Sequence, residues 1–182
     1  MYDFNFHSAS SVDDAASKLA AAKDGTMMAG GQTLIPVLKQ RLASPSDVVS
    51  LAGAGLSGIT NNGDSVTIGA TTTHAAVVAS GAVPAALRSV AEGIGDAQVR
   101  NRGTIGGSIA NNDPAADYPA ALLGLGATVT TNQRDIAADD FFIGLFETAL
   151  NDGEIVKSVT FPNATKAAYA KFPNPASRYA MV

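Results

Sequence analysis

Two glycine-rich segments, far apart in the chain, constrain what it can fold into. They are Ala29-Gly30-Gly31-Gln32-Thr33-Leu34 and the run from Thr104 to Asp117, which begins Thr104-Ile105-Gly106-Gly107-Ser108. Each pairs a Gly-Gly step with short hydroxyl or amide side chains, and each leads into a predicted helix. Glycine permits positive φ and lets backbone come close to a ligand. Successive amide N–H groups at a helix start then form a pocket for anionic oxygens. One such segment alone reads as a tight turn. Two in one small chain point to a large phosphorylated ligand gripped from both sides. Thr33, Thr104, Ser108 and Asn111 add hydrogen-bonding groups beside the expected amides. Asp117 reads either as an acceptor for sugar hydroxyls or as a solvated first-turn acid.

Composition removes several function classes. The chain has 182 residues, 46% of them hydrophobic, with a net charge of −4 and no cluster of Lys and Arg. It can bury a real core, and it lacks the basic footprint of a nucleic-acid binder. There are no cysteines and only two histidines, His7 and His74. Thiolate-ligated iron–sulfur clusters, disulfides and thiol nucleophiles are therefore excluded from this chain, and no zinc-ligand spacing is present. Redox chemistry here needs an organic cofactor. The N-terminus has neither a basic start nor an apolar run, so no signal peptide is read. The uncharged stretch from Ser65 to Leu87 is broken by Thr71-Thr72-Thr73-His74, Gly81 and Pro84, so no membrane span is expected. The reading is a soluble cytoplasmic domain.

Along the chain, Ser11 with Asp13 and Asp14 reads as a helix cap, and Gly25 as the stop. Residues 26–29 and 47–51 read as strands, and 34–42 as a helix. Residues 1–51 thus make a β-α-β-α-β lobe with parallel pairing. A loop-rich joint runs from Gly53 to Gly63. Beyond it, 65–70 reads as a strand, Thr73 caps a helix to Ser80, and Pro84 opens another to about Glu92. Asp113-Pro114 marks a further helix start, running to Gly124 or Gly126. Strands are read at 127–130, 154–161 and 167–172, while 139–150 is ambiguous.

Three familiar motifs fail on context. Gly53-Ala54-Gly55-Leu56-Ser57-Gly58 fits G-x-G-x-x-G, yet no helix follows and no acid lies about twenty residues on; it reads as an interlobe turn. Gly106-Gly107-Ser108-Ile109-Ala110 resembles a nucleophile elbow, but Asn111-Asn112-Asp113-Pro114 interrupts the helix that motif requires. No G-K-[ST] follows either glycine segment, so a P-loop is absent. His74 reads as a ligand neighbour or a structural histidine. Arg100 and Arg102 either offset phosphate charge or lie on the surface.

The segments AGGQTLIPVLKQRLASP (29–45), IGATTTH (68–74), QVRNRGTIGGSIANNDPAADYPA (98–120) and DGEIVKSVTFP (152–162) carry a resemblance. The chain is similar to the FAD-binding medium subunit of molybdenum hydroxylases, nearest the aerobic carbon monoxide dehydrogenase type, with xanthine dehydrogenase flavin domains more distant. The resemblance implies an α+β, two-lobed FAD-binding fold of the PCMH type: a small β-α-β-α-β lobe (1–55), a larger mixed-sheet lobe (56–172), and in 173–182 the start of a C-terminal domain. It implies that Ala29, Gly30, Gly31, Gln32 and Thr33 wrap the pyrophosphate of FAD, with Leu34 also in the cofactor-binding set. Thr104, Ile105, Gly106, Gly107 and Ser108 would make a second phosphate and ribityl contact. Asn111 and Asp117 would approach the ribityl or isoalloxazine side, and Ile155 the adenine or flavin surroundings. Thr72, His74 and Lys171 complete the implied set. Ser108 stands where relatives usually carry asparagine.

The implied function is electron transfer in a heteromeric complex. Electrons would pass from [2Fe-2S] clusters on a small subunit, fed by molybdopterin on a large subunit, through flavin to a small-molecule or quinone acceptor. The absence of cysteine agrees with clusters carried elsewhere. No side chain of this chain is assigned a catalytic role, and the cofactor carries the chemistry. Two alternatives stay open: a stand-alone flavin oxidase of the same superfamily, and a non-catalytic nucleotide-binding assembly module.

Overall fold

The computed structural model describes residues 1–182. The chain opens with β1 (Asn5–Ser8), α1 (Val12–Ala21), β2 (Gly25–Met28), α2 (Leu34–Lys39) and β3 (Asp47–Ser50). These strands form a three-stranded sheet in the order β1-β3-β2, and both pairings are parallel. Parallel neighbours need a crossover between them, and the helices supply it. The Ser11 hydroxyl accepts the Asp14 amide at 3.0 Å, closing the start of α1. Ala15 on that helix and Val49 on β3 are fully buried in a small cluster with Leu51, Ala54 and Leu56.

The second lobe contains β4 (Ile59–Asn61), β5 (Ser65–Gly69), α3 (His74–Ala79), α4 (Ala85–Glu92), α5 (Ala97–Arg100), α6 (Ile105–Asn111) and α7 (Tyr118–Gly124). It continues through β6 (Thr128–Thr131), β7 (Asp135–Ala137), α8 (Ala138–Phe141), β8 (Phe142–Gly144), β9 (Glu147–Thr148) and β10 (Val156–Pro162). Its five-stranded sheet has the order β4-β5-β10-β6-β7, with β8 and β9 as a separate hairpin. Where the sequence reading left this sheet mixed, every pairing in it is antiparallel. On one face Ile68, Val129, Val159 and Phe161 pack against Leu87, Ile105, Ile109 and Leu122 of the helices, all fully buried. The alternation along β5, in which Val66 and Ile68 point inward, is that of a half-buried strand.

Several local expectations are corrected. Ile59–Asn61, read as part of the loop-rich joint, pairs with β5, and only Asn62-Gly63-Asp64 forms the turn. Asp113-Pro114 does not open a helix. The Asp113 carboxylate accepts the Ala115 amide and its carbonyl the Ala116 amide, closing a single turn. The helix begins instead at Tyr118, with proline in its first turn. The ambiguous stretch 139–150 divides into α8 and the β8–β9 hairpin. Residues 167–172 form no strand.

Candidate functional site: a cleft between two glycine segments

The chain leaves β2 and enters α2 through Ala29–Thr33. Gly31 lies at φ +72°, a conformation that glycine adopts without the cost a Cβ would bring. None of the amides from Ala29 to Leu34 donates to an acceptor within the protein. Consecutive unpaired N–H groups in a turn make a concavity that attracts anions.

The second segment faces the first. A Cβ at Gly107 would lie 3.6 Å from that of Ala29, and one at Gly30 would lie 2.0 Å from the Arg102 carbonyl oxygen. At Gly30 a side chain would run into backbone, so only glycine fits, whereas a Cβ at Gly107 would just touch Ala29 and would crowd its own cap, the Thr104 hydroxyl, at 2.9 Å. The cleft along this junction has a volume of about 740 Å³, within the span of small-molecule sites.

The two segments differ in what they offer. Residues 105–111 are helix α6 and not a loop. Its first amides are already bonded: Ile105 to the Thr72 carbonyl at 3.2 Å, Gly106 to the Ala70 carbonyl at 2.9 Å, and Gly107 to the Thr104 hydroxyl at 3.1 Å. The expected amide pocket is therefore absent from the second segment. What that segment presents is a flat glycine surface and the side chains of Ser108 and Asn111, which line the cleft and bond to nothing else in the protein. Gln32 and Thr33 are equally free on the opposite wall.

The remaining sequence-derived residues separate into lining and supporting roles. Gly30, Gly31, Leu34, Thr104, Gly106 and His74 line the cleft, whereas Thr72, Ile105 and Lys171 do not. Thr72 is buried, and its hydroxyl bonds the amide and carbonyl of Gly58. Ile105 is fully buried in the main core. Lys171 reaches the Gly93 carbonyl at 2.9 Å and Asp117 at 2.9 Å. Asp117 also accepts the Tyr169 hydroxyl at 2.7 Å. Burial and the Asp117 carboxylate raise the pKa of that tyrosine. Asp117 thus holds its wall together while one edge faces the cleft. Ile155 lines the cleft too, yet it is 1% exposed and packs into the small-lobe cluster. Its amide donates to Asn132 Oδ1 and its carbonyl accepts the Asn132 amide, so its backbone is engaged.

His74 is buried, and its ring lies 5.4 Å from that of Tyr118. Burial, aided by the charge of Arg100, lowers its pKa to about 4, so the imidazole is neutral at pH 7. Its Nδ1 and the Tyr118 hydroxyl are buried without partners.

Sequence reasoning missed part of the wall. Asn151, Asp152 and Gly153 line the cleft from the turn before β10, as do Ser177, Arg178 and Tyr179. The Asp-Gly step was a usable turn signal; nothing local marks 177–179. The turn is fixed by Glu154, whose side chain is fully buried. Burial pushes its carboxyl up, but bonds from Arg134, the Asn151 amide and Thr131 together outweigh this and bring it to about 2.

Comparison with known proteins agrees with this geometry. The chain is 37% identical to the nicotine 6-hydroxylase medium subunit of Paenarthrobacter nicotinovorans, over 97% of this chain and 65% of that subunit. It is 39% identical to the carbon monoxide dehydrogenase medium chain of Afipia carboxidovorans, over 87% of this chain and 58% of the relative. The chain thus spans about two thirds or less of the length of these relatives. A solved structure of carbon monoxide dehydrogenase from Oligotropha carboxidovorans superimposes with a TM-score of 0.92 at 36% identity, covering 98% of this chain and 66% of that one. The model of the FAD binding domain in molybdopterin dehydrogenase matches residues 2–164, and this chain belongs to that family.

Proposed function

We propose that this chain is the FAD-holding, electron-transfer part of a heteromeric molybdenum hydroxylase, working beside an iron–sulfur small subunit and a molybdopterin large subunit. FAD supplies the redox chemistry: when bound, it takes electrons from clusters on the partner and passes them to an external small-molecule or quinone acceptor. The observation that carries the reading is the run of free amides from Ala29 to Leu34, set against the bare surface of Gly107 across one cleft.

The residues fit such a ligand in kind. Free main-chain N–H groups suit a pyrophosphate, which carries its charge on oxygens that accept hydrogen bonds. Gln32, Thr33, Ser108 and Asn111 offer uncharged donors and acceptors suited to a polyol chain. Asp117, its charge matched by Lys171 and its carboxylate held by Tyr169, fixes that part of the wall. No nucleophile or proton-transfer group is needed in this role, because the protein orients the cofactor and tunes it.

The test is a visible absorption spectrum of the purified chain before and after denaturation, followed by FAD titration of two variants. Gly31→Val places a branched side chain at φ +72°, and Gly107→Val adds bulk toward Ala29. Each is expected to weaken FAD at least about tenfold, the scale of one lost well-placed contact. Wild-type affinity in both would remove the site from this cleft. A colourless chain that takes up no FAD would favour a nucleotide-binding module.

A further inference from the structure

The β8–β9 hairpin projects an apolar tip from the wall of the cleft. Ile143, Leu145 and Phe146 are 57%, 76% and 62% exposed and nearly consecutive. Single exposed apolar residues are ordinary, but a contiguous group of this size is not. This tip is also held rigidly. Asn112, itself buried in the left-handed region at φ +43°, accepts the Phe146 amide at 3.0 Å. Its side-chain amide donates to the Gly144 and Glu147 carbonyls, each at 2.8 Å. At the root, buried Phe141 packs edge-on against Phe142 at 5.0 Å and accepts the Ala149 amide.

Phe146 lies at φ +57°, where a bulky side chain is unfavourable. Glycine would suit the turn, and its place is taken by an aromatic ring aimed at solvent. A rigid, pre-oriented aromatic beside aliphatic neighbours is the usual centre of a protein interface. Charge says what kind of partner meets it. From Asp135 to Val156 the chain carries Asp135, Asp139, Asp140, Glu147, Asp152 and Glu154 and no Lys or Arg. Of these, only Glu154 is paired within the protein, with Arg134. Asp139, Asp140 and Glu147 are exposed around the root and tip. Two copies of this face would bring acid against acid, which disfavours self-association.

We propose that this finger is the docking element for the cluster-bearing electron-donor chain, entering an apolar socket rimmed by Lys and Arg. The assignment rests on the relay reading above. The finger runs directly into Thr148, Leu150 and Asn151, which line the cofactor cleft. A partner seated on it therefore lies beside the place where electrons must arrive.

The experiment measures binding of the full chain, loaded with FAD, to the cluster-bearing chain of its own complex. Phe146→Gly relieves the backbone and removes the ring. It is expected to keep flavin absorbance and to hold or raise the thermal midpoint, yet to weaken the partner about tenfold or more. Leu145→Ser behaves likewise, whereas Leu42→Ser, equally exposed on another face, leaves binding unchanged. Asp139→Asn with Asp140→Asn slows association and flattens its salt dependence. If Phe146→Gly and Leu145→Ser bind like wild type, the finger proposal falls while the relay reading stands. If they instead abolish self-association, the occupant is a second copy and the proposal is overturned. If the FAD-loaded wild type binds no cluster-bearing chain, the relay reading fails and takes the finger with it.

Discussion

His74 shows how one side chain can be read from sequence as polar and yet act in the fold as a neutral ring. The run Thr71-Thr72-Thr73-His74 marks it as a candidate ligand contact, and the structure does bring it to the cleft wall. The Nε2–Cδ2 edge of its imidazole lies close to Gly103, where an added Cβ would sit 2.6 Å from Nε2. A buried imidazole without acceptors resists protonation, and its pKa falls from 6.5 to about 4. The unfolded chain binds this proton more readily, so neutral His74 contributes stability above pH 6.5. That contribution is lost as pH falls toward 4, by up to about 3 kcal/mol. Urea unfolding of wild type against His74→Phe between pH 7 and 4 checks this. The wild type should lose stability relative to the variant across that window, and parallel curves would refute it.

At the scale of elements, caps were legible and glycine helices were not. Ser11 and Thr73 announce α1 and α3 through local spacing alone, and both accept the expected amide. Helix α6 was hidden because Gly106-Gly107 has poor helix propensity, so the segment reads as a loop. Tertiary contact overrides that propensity. A Cβ at Gly106 would lie 2.5 Å from the Ala70 Cβ, and the Ala70 and Thr72 carbonyls, just past the end of β5, take the first amides of the helix. Thr104 completes the start by accepting the Gly107 amide. Thr104→Ala should therefore cost about 1 kcal/mol, the usual value of an N-cap, measured by chemical denaturation. The flanking strands keep their register, so far-ultraviolet circular dichroism should stay unchanged.

Over the whole molecule, the site exists because segments attached to two separate sheets come together at bare backbone. Gly30 against Arg102 is the tightest point of that junction, and Ile155 from the second lobe fills the small-lobe cluster behind it. Gly30→Val should force the segments apart, since the Arg102 carbonyl has no flexible end to yield. FAD affinity should fall by at least about a hundredfold, roughly the loss of two or three good hydrogen bonds, while each sheet keeps its circular dichroism. Retention of affinity would mean that the lobes need not touch to make the site. This junction was not legible locally, because neither glycine segment encodes which residue the other will meet.

Period and punctuation in the amino-acid string determined most of the elements, the parallel first lobe and the identity of the two glycine segments, because these depend on short-range sterics and hydrogen bonding. Which amides remain free, which face of each helix closes the cleft, and where Asp117, Lys171 and Ile155 point were decided only when distant segments packed. Those outcomes depend on carbonyls and side chains tens of residues away competing for the same donors, such as Ala70 for Gly106, Asn132 for Ile155 and Gly93 for Lys171, and no local pattern records the winner.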